Sequence, residues 1–113
     1  MKQFLIKYRF EHGTPEAWHR QIAEFISELD GDSELNGRIT YRCMRQSAGT
    51  DYYHLATAAD DAAANVLQQR EFFRRYTEAT KRVAAGGLVE VVPLDVVAET
   101  GGAPGPDRGK VGP

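Results

Sequence analysis

Residues 38–57, RITYRCMRQSAGTDYYHLAT, constrain the fold more than any other stretch of the chain. Two alternating runs flank SAGT. A side-chain period of two marks a β-strand, so the stretch reads as a hairpin closed by a tight turn. The sequence on either side has a different rhythm. Before the hairpin, Trp18, Ile22, Phe25, Ile26 and Leu29 recur at spacings of three and four, the stripe of an amphipathic helix. After it, residues 58–83 are helical in pattern, but the stripe moves. Ala62, Val66 and Leu67 share one side; Phe72, Phe73, Tyr76, Ala79 and Val83 centre roughly a quarter-turn away, at about 100° per residue. One straight helix would carry its apolar face off the core. The spacing therefore predicts a break near Gln68 to Glu71.

A strand also opens and closes the pattern. In QFLIKYRF, Phe4, Ile6, Tyr8 and Phe10 alternate with Leu5, Lys7 and Arg9. Thr14 then suits a helix N-cap and Pro15 the first helical position, where its missing N–H costs nothing. DGDSELNG stops that helix, and Gly86 with Gly87 ends the second helical region. LVEVVPLDVV, residues 88–97, is a fourth strand. Pro93 cannot donate to a ladder, which places this strand at an edge. The order β-α-β-β-α-β is that of two split βαβ units: a ferredoxin-like α+β fold, an antiparallel sheet with helices on one face. Its first and third strands are central. Residues 1–98 form this domain, and the Gly/Pro-rich residues 99–113 read as a flexible tail.

Composition narrows the function classes. A net charge of -2 over 113 residues gives no general attraction to nucleic acid or acidic membranes. No segment reaches membrane-spanning length. Cys43 is the single cysteine, so no internal disulfide forms, and a reducing, cytoplasmic setting fits. There is no glycine-rich phosphate loop, nucleophile elbow, C-x-x-C or H-x-x-x-H spacing. No metal or cofactor is therefore expected. His12 and His19 read as surface residues.

Hydrophobicity assigns the sheet faces. The helix-covered face takes Phe4, Ile6, Tyr8, Phe10, Ile39, Tyr41, Cys43, Tyr53, Leu55 and Thr57. The other takes Leu5, Lys7, Arg9, Arg38, Thr40, Arg42, Met44, Tyr52, His54 and Ala56; the fourth strand is too apolar on both sides to assign. This second face is half apolar and half cationic. Such a face is usually covered, and a second copy of the chain can cover it.

FLIKYRF, GTPEAW, YRCMRQSAGTDYYHLATAADDAA, REFFRRY after a helix break, and LVEVVPLDVV span roughly residues 3–98. In that order they resemble the dimeric α/β-barrel superfamily and, within it, antibiotic biosynthesis monooxygenase-like domains. The resemblance implies a homodimer with a small-molecule cavity between sheet and partner. It also implies cofactor-independent monooxygenase chemistry on an aromatic or polyketide-like substrate. Haem-degrading relatives exist, but no histidine falls between Phe72 and Val83, where their axial ligand is expected.

Candidate chemistry centres on His54, which titrates near neutrality when unperturbed and suits a general base, with Tyr52 orienting it or bonding a substrate oxygen. Lys7, Arg9, Arg38 and Arg42 can hold a carboxylate, enolate or phenolate and stabilise a substrate carbanion that passes an electron to O₂. Plainer readings stand beside these. His54 can simply pack at an interface, and the cations can pair with Glu90 or Asp95. Trp18, Phe72, Phe73 and Tyr76 read as core, with some lining a pocket if the helix break opens one. Two other functions share this fold: a non-catalytic ligand-binding or stress-related module, and a cyclase or isomerase.

Overall fold

The structure is a computed structural model, and residues 1–101 are described. The elements run β1 (Lys2–Arg9), α1 (Pro15–Asp30), β2 (Ile39–Arg45), β3 (Asp51–Ala58), α2 (Asp61–Gln68), α3 (Glu71–Val83), a 3₁₀ turn (Ala85–Gly87) and β4 (Glu90–Leu94). The sheet is antiparallel with strand order β2-β3-β1-β4. β1 and β3 are central, and Pro93 sits on an edge strand, as expected. The segment from residue 102 onward, most of the anticipated tail, lies outside the described residues.

Local signals explain the boundaries. The Thr14 side chain accepts from the Ala17 amide and Pro15 opens α1. Asp60 caps α2 by accepting from the Ala63 amide at 2.8 Å. The helical region breaks where the moving stripe predicts, with Gln69 and Arg70 between α2 and α3. No side chain caps α3. Instead Arg70 donates to Asp32 at 2.7 Å and Glu34 at 2.6 Å, tying the break to the loop after α1. The Arg70 hydrogen bond holds the Asp32 carboxyl below the usual carboxylate range. α2 buries Ala63 and Leu67, while Ala62 is exposed. Gly86 and Gly87 turn the chain with φ of +63° and +70°, a region that favours glycine. β4 is shorter than the ten-residue apolar run suggests. Its register pairs Leu94 with Gln3, so β1 offers almost no backbone beyond that point.

The register corrects one expectation about the sheet. His54 pairs with Ile6 on β1 and with Cys43 on β2, and Tyr52 pairs with Tyr8. Directly paired residues on neighbouring strands point to the same side of the pleat. Tyr52, His54, Ala56 and Ala58 therefore lie under the helices, not on the open face. Tyr53, Leu55 and Thr57 are the outward set. Arg38 also moves: it precedes β2 and donates to Asp60 at 3.0 Å, bracing the start of α2. The core between sheet and helices gathers Tyr8, Phe10, Trp18, Phe25, Leu29, Ile39, Tyr52, Leu67, Tyr76 and Val83.

Candidate active site

His54 sits mid-strand on β3 with no solvent exposure. Three other elements bring a phenol to its ring. Tyr8 on β1 brings its hydroxyl to 2.9 Å from Nε2. Tyr41 on β2 and Tyr76 on α3 bring theirs to 3.1 Å and 3.0 Å from Nδ1. Trp18 on α1 donates its indole N–H to the Tyr8 hydroxyl at 2.8 Å. The Tyr76 hydroxyl also lies 3.8 Å from Cys43 Sγ. Aromatic packing fixes these groups: Phe25 stacks on Tyr76 with ring centres 3.9 Å apart, and Tyr8 stacks on Tyr52 at 5.3 Å.

Burial sets the charge states. It lowers the His54 pKa to about 4, so the imidazole is neutral at pH 7. It raises the phenols of Tyr8, Tyr41 and Tyr76 well above their ordinary range, so all three keep their protons. The Cys43 thiol is pushed up to about 11, again by burial. The cluster is a neutral hydrogen-bonded network inside an aromatic core.

A cavity of about 270 Å³ adjoins this network, between the sheet and helices α2 and α3. Tyr41 and Tyr76 are part of its wall, with Ile6, Leu67, Phe73 and Val91. Gln68, at the helix break, and Val91 are both exposed wall residues and mark its mouth. None of its described wall residues is charged. The helix break thus does open a pocket, with Phe73 and Tyr76 lining it, while Trp18 lies deeper in the core.

The sequence-based candidates divide between the two sides of the sheet. His54 is at the centre of the network. Tyr52 shares its face, but its hydroxyl lies 2.7 Å from Nε2 of His19, so it is not a partner of His54. Lys7 is on the open face, 3.8 Å from Glu90. Arg9 pairs with Glu11 at 3.6 Å, and Arg42 is exposed on the open face. Arg38 is committed to Asp60. The four cations and His54 therefore do not share one site. The residues that sequence reasoning passed over are Tyr8, Tyr41 and Tyr76, the three phenols on the imidazole. Their spacing resembles ordinary core; the strand register brings Tyr8 and Tyr41 beside His54, and the placement of α3 brings Tyr76.

No protein-family profile matches the chain, and no curated protein does. Solved structures do. SnoaB, a cofactor-independent oxygenase from Streptomyces nogalater, superposes with a TM-score of 0.70 at 13% identity, covering 89% of this chain and 97% of that one. The chain has the ferredoxin-like fold of antibiotic biosynthesis monooxygenase domains. A protein from Caulobacter crescentus CB15, provisionally described as such a monooxygenase, gives a TM-score of 0.71 at 13% identity, with 86% and 90% of the two chains covered. A dimeric ferredoxin-like protein of unknown function from Jannaschia sp. CCS1 gives 0.59 at 22% identity, covering 85% of this chain and all (100%) of that one. At these identities the monooxygenase-type likeness is one of fold.

Proposed function

We propose that the protein is a small-molecule oxidative-tailoring enzyme, a cofactor-independent monooxygenase that takes an aromatic or polyketide-like substrate. The observation that carries this is the apolar cavity walled by Tyr41 and Tyr76, whose hydroxyls both rest on the buried His54. Apolar walls with a few convergent polar groups are the usual build of a small-molecule site. The monooxygenase-type fold adds to that reading by analogy.

The chemistry follows from the charge states. A ring CH₂ conjugated with a carbonyl loses a proton more easily when that carbonyl oxygen receives hydrogen bonds as negative charge develops on it. In this reading Tyr41 and Tyr76, on the cavity wall, give them. His54, neutral and behind them, orients the phenols; the substrate proton passes to water at the mouth. The resulting electron-rich carbanion reacts with O₂. One oxygen atom becomes the new ring carbonyl, the other leaves in water with the two hydrogens of the CH₂, and the electrons balance without a cofactor.

A second copy of the chain covers the open face of the sheet. Leu5, Tyr53 and Leu55 lie there half-buried, and Met44 and Leu94 lie there 42% and 37% exposed. The dimeric ferredoxin-like neighbour supports this arrangement. Lys7, Arg9 and Arg42 then belong to the interface or its rim and not to the substrate cavity.

Oxygen uptake with an anthrone, in metal- and flavin-free buffer, tests the reading. One O₂ consumed per anthrone oxidised supports it, with Tyr41→Phe lowering kcat. Equal turnover under argon would instead favour a cyclase or isomerase. A ligand-induced thermal shift without turnover would favour a binding module.

A further inference from the structure

The direction of the hydrogen bonds around His54 is open to a proton count, and the count selects one tautomer. The hydroxyl of Tyr8 touches two groups, Trp18 Nε1 at 2.8 Å and His54 Nε2 at 2.9 Å. The indole nitrogen only donates. The sole acceptor given to the Tyr8 proton is therefore Nε2. If Nε2 carried the hydrogen, Tyr8 would accept twice and its own proton would be buried without a partner, which is costly. With the lone pair on Nε2, the indole donates to Tyr8, Tyr8 donates to the imidazole, and every group is satisfied.

The structure assigns Tyr8, held by Trp18, as the positioning residue that fixes His54 as its Nδ1–H tautomer and so turns the Tyr41–Tyr76 pair into a surplus hydrogen-bond donor facing the cavity. On that side, four protons (Nδ1–H, the two phenols and the Cys43 thiol) meet three acceptors, the two phenol oxygens and the weakly accepting Cys43 sulfur. In the other tautomer Nδ1 would absorb one phenol proton, and the group would have one donor fewer to offer. The ligand that completes the network is one whose polar atom accepts: a carbonyl oxygen on a planar apolar frame. Uncharged cavity walls agree with a neutral ligand. This specificity rests on the cavity being the substrate site; the tautomer does not.

Two measurements keep those claims apart. Histidine-¹⁵N labelling of the full chain distinguishes a protonated from an unprotonated ring nitrogen at each site by shift and two-bond coupling. At pH 7 His54 is expected as Nδ1–H, and Tyr8→Phe is expected to move it toward Nε2–H. An Nε2–H signature in the unsubstituted protein overturns the assignment whether or not the variant folds, and so does an unchanged His54 signature in a folded Tyr8→Phe protein. For the ligand, 1,4-naphthoquinone and naphthalene offer the same rings with and without acceptor oxygens. The quinone is expected to bind at least tenfold tighter, with the gap narrowed several-fold in Tyr8→Phe. Equal affinities overturn the donor claim. Binding of neither probe overturns the cavity as a substrate site and leaves the tautomer to the spectrum.

Discussion

The two faces of this sheet use the same strands for opposite purposes. Under the helices, polar atoms are buried, but each has a partner: His54, Tyr8, Tyr41, Tyr76 and Trp18 satisfy one another. On the open side, Leu5, Met44, Tyr53, Leu55 and Leu94 remain at least partly solvated among Lys7, Arg9 and Arg42. The first face pairs its polar atoms within one chain; the second leaves apolar side chains in water. Polar residues in a core therefore need not mark an interface, and apolar residues on a sheet can.

The comparison breaks first if the covered face is less rigid than its geometry implies. Phe25 is 2% exposed and stacks on Tyr76 at 3.9 Å. Phe25→Ala should cost about 3–5 kcal/mol through lost burial and the hole it leaves. Urea unfolding at pH 7 measures this. A loss below about 1 kcal/mol would show a core able to collapse around the gap and would weaken any argument from fixed phenol geometry.

Acid is the next probe, because only the covered face hides a titratable imidazole. His54 has a folded pKa of about 4, below its ordinary 6.5. Between those values the unfolded chain binds a proton that the folded chain refuses, so stability rises with pH across that window. It is complete above pH 6.5 and falls as pH drops toward 4. The shift corresponds to roughly 3 kcal/mol at about 1.4 kcal/mol per pH unit. Asp32, and other carboxylates, also respond at low pH. The measurement is therefore the difference in pH slope between the protein and His54→Gln. Identical slopes from pH 6.5 to 4 would mean that His54 is hydrated.

How much of this was legible in the sequence turns on parity. Element order, the Thr14–Pro15 cap, the helix break and the edge position of Pro93 all came from local chemistry. Hydrophobicity puts His54 on the wrong face, because it ranks Tyr53, Leu55 and Thr57 above Tyr52, His54 and Ala56. The hairpin carried a better signal. A turn at residues 47–50 sets Gln46 against Asp51, and the Gln46 amide does donate to the Asp51 carbonyl at 2.9 Å. Counting back from there puts Cys43 opposite His54, on the Cys43 face. The Tyr41–Tyr76–His54 meeting was not legible, since it depends on where α3 lands after the break. Arg70, which clasps Asp32 and Glu34 there, gave no pattern to read.

The open face is sharpened by its own substitution. Leu55→Asp places a carboxylate where a second copy is inferred to pack, and the side chain is already half-solvated in one chain. The folded monomer should change little, whereas self-association should weaken by at least tenfold, because a buried unpaired charge is costly. Sedimentation or light scattering from about 1 to 100 µM reads the effect. A protein that is monomeric before substitution removes the second copy altogether.

The smallest effect separates the two faces most cleanly. Lys7 and Glu90 stand 3.8 Å apart with side chains 42% and 64% exposed. A solvated pair of that kind contributes about 0–1 kcal/mol, less at high salt. Lys7→Ala should therefore leave unfolding within about 1 kcal/mol of the parent. It should also leave affinity for a cavity ligand unchanged, since Lys7 is not part of the cavity wall. Titration of 1,4-naphthoquinone into both proteins checks this. A tenfold loss in Lys7→Ala, with the fold intact, would move the ligand through the sheet to the open face. Recognition would then belong to the cations, and the phenols around His54 would be structure alone.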